Sequence, residues 1–282
     1  MGSYKPRWQQ SLRQQQFAPS HSRSRPTRTK RAAFFDLDKT IIARSSAYAF
    51  HRKFRESGLI STSGMIELAF SQALYISQGH DSDQIEAARE RMSALVKGWQ
   101  PDVVRKIAED SLHQVISPYV YAEARELINH HRRLGHDVYV VSASATELVE
   151  PIARAIGVNH TVATRIQVRD GVYTGEIEFF CRGDNKAAEL QRLAELHGYD
   201  LSACYAYSDS ITDEPMLAAV GFPMAVNPDK NLRALAQQRS WPIRDFHNPE
   251  PLFTPPRKRA TVASAASIAA IAAAITFALR RR

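Results

Sequence analysis

The chain has 282 residues, 44% of them hydrophobic, enough to bury a core for one domain with an insertion. Its net charge of +8 belongs to the ends: eight Lys and Arg in 1–31 and six in 255–282, with no acid in either, leave 23 of the 37 basic residues against all 29 acidic ones, a central net of −6. A mildly acidic folded part excludes a nucleic-acid reader, whose positive charge would lie on the folded face, and two cysteines, Cys181 and Cys204, make neither a disulfide framework nor a metal-ligand spacing.

Residues 1–31 are rich in Gln, Ser, Arg and Pro without any period and predict a disordered basic arm. No apolar core follows the charges, as a secretory signal would need. The apolar run Ala32-Ala33-Phe34-Phe35 then predicts a strand that ends in Asp36-Leu37-Asp38-Lys39-Thr40. Strand alternation sends Asp36 and Asp38 to the same side, at the C-terminal edge where open α/β sheets bind ligands. Two carboxylates that close require a cation between them or different roles.

Helical spacing continues over 45–57, 63–78, 82–98 and 102–116, broken by Gly58, Gly79 and Pro101, so 45–116 is expected to be a helical insertion. A helix over 120–134 leads into the strand Val138-Tyr139-Val140-Val141, with Ser142 straight after it. A helix over 146–156 and a short strand over 161–164 follow. Ile166 to Ile177 reads as a hairpin turning at Asp170-Gly171. Another helix begins near Asn185, carries Lys186 in its first turn and stops at Gly198.

Strand 204–207, helix 213–220 and strand 223–226 complete the alternation, and Ser208-Asp209-Ser210-Ile211-Thr212-Asp213 follows the first of these strands directly. The expected fold class is α/β, a Rossmann-like doubly wound parallel sheet made of 32–44 and 117–254. Ala260 to Leu279 is a 20-residue run without charge between two basic clusters, long enough for a membrane anchor that keeps the catalytic part cytoplasmic. A soluble alanine-rich helix laying Ile268, Ile271 and Ile275 on a partner is the alternative.

Four signals therefore fall at strand ends or helix starts: the D-x-D-x-T run, Ser142, Lys186 and the run 208–213. Together they set carboxylates, a hydroxyl and an ammonium at one sheet edge, the set that phosphoryl transfer demands. A carboxylate can attack phosphorus and divide one displacement into two. A divalent cation must offset the repulsion, and hard oxygen ligands select Mg²⁺. Asp36 and Asp209 are the candidate ligand side chains, with the main-chain carbonyl of Asp38 as a third donor. Asp38 suits the acid and base steps, Ser142 and Lys186 can stabilise the transferring charge, and Asp213 can orient Lys186 or the metal's waters.

These motifs, in this order over about residues 32–230, resemble those of the haloacid dehalogenase (HAD) superfamily of phosphohydrolases, in the IB branch similar to phosphoserine phosphatase. The resemblance implies a helical cap inserted after the first motif, Mg²⁺, an aspartyl-phosphate on Asp36 and acid–base work by Asp38. It also implies phosphoryl binding by Ser142, Lys186 and Thr40, and a metal site completed by Asp209. Phosphoserine phosphatases carry a glutamate at the cap entry, whereas Ile41 to Ser46 contain no acid here; the fourth motif begins with Ser208 where Gly is usual. The expected function is a Mg²⁺-dependent phosphomonoester hydrolase acting on a small phosphate ester or a lipid-linked phosphate, with a membrane surface as a partner of the tail. A phosphotransferase with the same intermediate and a catalytically silent, membrane-tethered interaction protein are the alternatives.

Overall fold

The computed structural model describes residues 30–60 and 94–253. The expected helix over 63–78, most of that over 82–98, nearly all of the basic arm and the apolar run 260–279 lie outside these residues.

Strand β1, Ala32–Asp36, is buried over its whole length and occupies the middle of the sheet. A strand covered on both faces must be apolar at consecutive positions, as this run is. Ala33 and Phe35 point to one side and Ala32 and Phe34 to the other. The helices α1 (Ser46–Glu56), α2 (Pro101–Val115) and α3 (Ala122–Arg133) supply core residues to the Phe35 side, including Phe50, Leu112 and Ile128. The strand β2 (Asp137–Ala145) follows, then α4 (Thr146–Ala155), which adds Leu148 and Ile152 to the same side.

Next come β3 (His160–Arg169), β4 (Val172–Phe179) and α5 (Asp184–His197), whose Leu190 and Leu193 cover the Phe34 side. The chain ends its regular structure with β5 (Tyr205–Ser208), α6 (Glu214–Ala218), β6 (Phe222–Val226), α7 (Lys230–Gln238) and β7 (Ile243–Arg244). Among the described residues these strands form one sheet in the order β4-β3-β2-β1-β5-β6-β7. The chain winds outward from β1 on one side through β2 and on the other through β5. Their C-terminal ends therefore flank the crevice where the strand order reverses.

The doubly wound arrangement is present but mixed, because β4 runs antiparallel to β3. The two short strands expected at 161–164 and 166–168 are one continuous strand, turning at Asp170 (φ 53°) and Gly171 (φ 78°) as the Asp-Gly pair anticipates. β2 also runs past its apolar stretch to Ala145, so Ser142 lies within the strand. Helix 213–220 is shorter than expected: a 3₁₀ turn, Ile211–Asp213, precedes α6.

Two segments outside the regular elements join the chain that leaves β1 to the chain that enters α3. Ala43 N–H donates to Tyr119 O at 2.8 Å and Tyr121 N–H to Ile41 O at 2.9 Å, pairing the outgoing and returning chain. Ala122 N–H donates to Asn248 O and Glu250 N–H to Val120 O, both at 2.8 Å, so residues 248–250 bind the returning segment from its other side. Helix α2 lies on α4, where Arg154 pairs with Glu109 at 2.9 Å and Arg105 with Glu150.

Candidate active site

Asp36 ends β1 and is 7% exposed, facing the crevice between the ends of β2 and β5. Lys186 reaches it from the first turn of α5, with Nζ 2.7 Å from Asp36 Oδ1 and 2.7 Å from Asp213 Oδ2. The turn before α5 is made by Gly183, whose φ of +54° belongs to the left-handed region that favours glycine. Ser208, at the end of β5, donates its hydroxyl to the same Asp213 oxygen at 2.7 Å. That hydroxyl also accepts from Ser210 N–H at 3.3 Å, so the residue standing where glycine is usual braces the loop that follows β5.

Asp209 follows Ser208 and is 7% exposed. Burial pushes its carboxyl well above the ordinary range, the charge of Asp36 adds to the rise, and Lys39 opposes it. Asp36 is pushed up to about 7, first by burial, against the pull of Lys186 and with the charges of Asp213 and Asp38. Burial raises Asp38 as well, opposed by hydrogen bonds from Ser46. For Lys186 burial acts downward, but Asp213 and Asp36 outweigh it and hold the ammonium above its ordinary value. Four carboxylates thus gather where one buried ammonium pairs with two of them.

That excess of negative charge is the test of a metal here, and the residues fit a divalent cation. Among the described residues no three or more His, Cys, Asp or Glu side chains are grouped to hold a metal by themselves. An ion would rest on the Asp36 and Asp209 carboxylates and on main-chain oxygen, a hard donor set suited to Mg²⁺.

Asp38 and Thr40 lie beyond the end of β1, in a turn held by Ile41 N–H to Leu37 O at 2.9 Å. Lys39 takes φ 57° within it. Asp38 Oδ1 accepts from Ser46 N–H at 2.9 Å. Thr40 is fully buried, and its hydroxyl has no hydrogen-bond partner among the described residues. A buried orphan hydroxyl is rare unless a ligand completes it. Ser142 is 1% exposed, and its Oγ accepts from Ser144 N–H at 3.1 Å.

The structure thus brings Asp36, Lys186, Asp213 and Ser208 into direct contact and places Asp209 within electrostatic reach. Three further residues were not anticipated. Asn227 donates its amide to Lys39 O at 3.2 Å. Asp229 accepts from Ile211 N–H at 2.9 Å, while its own N–H donates to Asp209 O at 2.8 Å. Ser46 is the third. The Asp229 position was open to detection, because an Asp ahead of the helical run 230–238 is an N-cap signal, and its Oδ1 does cap Leu232 N–H at 2.8 Å.

The haloacid dehalogenase-like hydrolase family model matches residues 33–218. A probable phosphatase of Mycobacterium tuberculosis is 45% identical over 278 residues, covering 95% of this chain and 96% of that protein. An inhibition of morphological differentiation protein of Streptomyces azureus is 47% identical over 260 residues, covering 89% and 94%. A solved structure of a protein of unknown function from Bordetella pertussis superposes with a TM-score of 0.67 at 30% identity, over 80% of this chain and all of that one. A phospho-aspartyl intermediate analogue of phosphoserine phosphatase shares the fold, with a TM-score of 0.56 at 21% identity over 77% of this chain and 94% of that one. The expectation of a membrane partner and a lipid-linked substrate gains nothing: among the described residues no helix is long and apolar enough to cross a membrane, and 260–279 lies outside them.

Proposed function

The chain belongs to the haloacid dehalogenase-like hydrolases and is a phosphatase of that family, and on that premise we propose that it is a Mg²⁺-dependent phosphomonoester hydrolase working through an aspartyl-phosphate on Asp36. The observation that carries this reading is the buried Lys186 bridging Asp36 and Asp213 at 2.7 Å each, at the C-terminal edge of the sheet. Lys186 occupies Oδ1 of Asp36 and leaves the other oxygen to attack phosphorus. As the new O–P bond forms, the bond to the leaving alcohol breaks, and Asp38 gives its proton to that oxygen. Burial raises its pKa, the direction that a proton donor needs.

In the second half Asp38 takes a proton from water, which attacks phosphorus and releases phosphate and the Asp36 carboxylate. Ser142, Thr40 and the remaining N–H of Lys186 donate to the phosphoryl oxygens throughout. Asp36, Asp209 and the main-chain carbonyl of Asp38 would hold Mg²⁺, which would supply the positive charge that lets an anionic nucleophile meet an anionic phosphoryl group. Asp213 keeps Lys186 in place. The substrate class is a small phosphomonoester.

Hydrolysis of p-nitrophenyl phosphate, with magnesium supplied and then chelated, tests this reading. Asp36→Asn should abolish turnover, and chelation should suppress it in the unaltered protein. Full activity in the Asn variant would refute the assignment.

A further inference from the structure

Two buried hydroxyls that take no step in this chemistry connect two residues that do. Ser46 opens α1, is fully buried, and gives its N–H to Asp38. Ser144 lies near the end of β2, is 8% exposed, and gives its N–H to Ser142 Oγ. Their hydroxyls meet at 2.7 Å across 98 residues of sequence. A continuous chain of hydrogen bonds therefore runs from Asp38 through Ser46 and Ser144 to Ser142.

The backbone alone holds this junction loosely. The β1–β2 ladder ends at the pair Asp36 and Val141, and β2 slips register against β3 between Ser142 and Ala145. Asp38 and Ser46 lie past the end of β1, and Ser142 and Ser144 lie past the last β1–β2 pair, although Ser142 still pairs with Ala163 of β3. The Oγ–Oγ bond spans that gap. It also satisfies two hydroxyls whose burial would otherwise be costly.

We infer that Ser46 and Ser144 are a positioning pair, whose hydroxyl bond sets the Asp38 carboxyl at proton-transfer distance from the leaving oxygen of a phosphoryl group held by Ser142. The inference rests on Asp38 being the acid proposed above. Proton transfer needs heavy atoms about 2.6–3.2 Å apart, so a small displacement of Asp38 matters when the leaving group needs the proton. An alkoxide needs it; p-nitrophenolate, a stable anion, leaves without it.

Ser144→Ala removes only this bond, since its N–H donor is a main-chain group, whereas Ser46→Ala also removes the bond its hydroxyl makes to Asp38. With the full chain and magnesium, kcat/KM is measured for glycerol 2-phosphate and for p-nitrophenyl phosphate, together with inhibition by inorganic phosphate. Each single variant should lose roughly ten- to a hundredfold on the alkyl ester, a partial loss of the about 10²–10⁴-fold that general acid catalysis contributes, and less than about threefold on the aryl ester. The double variant should be no worse than Ser46→Ala alone, and the inhibition constant for phosphate should not move.

Equal losses on both esters, or additive losses in the double variant, would overturn the pairing. So would unchanged kcat/KM on the alkyl ester. If Ser46→Ala folds poorly, Ser144→Ala answers the question alone. An active Asp36→Asn enzyme would strike the mechanism itself, whereas an inactive one beside equal losses in the serine variants would strike only the positioning role.

Discussion

Lys186 Nζ lies 2.7 Å from Asp213 Oδ2, an oxygen that also accepts the Ser208 hydroxyl at 2.7 Å. Asp213 thereby joins the end of β5 to the start of α5 and draws the ammonium partly away from Asp36. With two N–H groups committed to carboxylates, a third stays available for a phosphoryl oxygen.

Removing the Asp213 charge should let Lys186 pair wholly with Asp36 and blunt the nucleophile. Asp213→Asn is expected to keep the fold and lose on the order of a hundredfold in kcat, as when one electrostatic contact to developing charge is lost. Asp213→Ala, which leaves a buried cation and a buried hydroxyl short of a partner, should cost about 3 kcal/mol or more of stability. Steady-state kinetics and denaturant unfolding of the two variants separate these effects, and an Asn variant of normal kcat would show that the contact is structural only.

How much of this was readable beforehand follows from which interactions are local. Asp36 and Asp38 stood out because a five-residue apolar strand and its alternation are short-range features. The contact of Lys186 with Asp36 spans 150 residues and follows from the order of strands, which the βα alternation supplied. β7, two residues long, carries no period to detect. The segment 248–250 pairs through main-chain groups and the Asn248 amide, which donates to Glu123 at 2.7 Å, and carries no period to detect either. Ser46 and Ser144 were illegible for a different reason: a serine at a helix start or strand end reads as a cap, and only the packed fold shows two of them sharing one bond.

Asp209 offers a second prediction, this time on stability. Its buried carboxylate is repelled by Asp36, so in the metal-free protein it works against the fold. Asp209→Asn removes that repulsion with little change of shape. Its melting temperature without metal should rise by about 2–4 °C, the shift about 1 kcal/mol gives in a chain of this size. Magnesium, which should stabilise the unaltered protein by binding its folded form, should leave the variant unmoved. Scanning calorimetry with and without Mg²⁺ decides the matter: a variant that still gains stability from the ion would remove Asp209 from the ligand set.

A buried histidine against β5 makes stability depend on pH. His131 on α3 is 2% exposed, with Nε2 2.7 Å from the Tyr207 hydroxyl and Nδ1 2.9 Å from His136 Nδ1. Burial, reinforced by the charges of His136 and His130, lowers its pKa to about 3. The folded protein therefore refuses a proton that the unfolded chain accepts near 6.5. Stability from this residue is complete above that value and declines as the pH falls towards 3, by about 1.4 kcal/mol for each unit once the unfolded histidine is protonated. The substitution His131→Gln keeps a polar partner for Tyr207 but cannot titrate. Urea unfolding at about pH 7.5, 6 and 5, which bracket the transition, should show the variant losing less stability per unit than the unaltered protein, by about one proton. Parallel slopes would mean that His131 is protonated inside the fold, with its imidazolium held by Tyr207 and the surrounding rings.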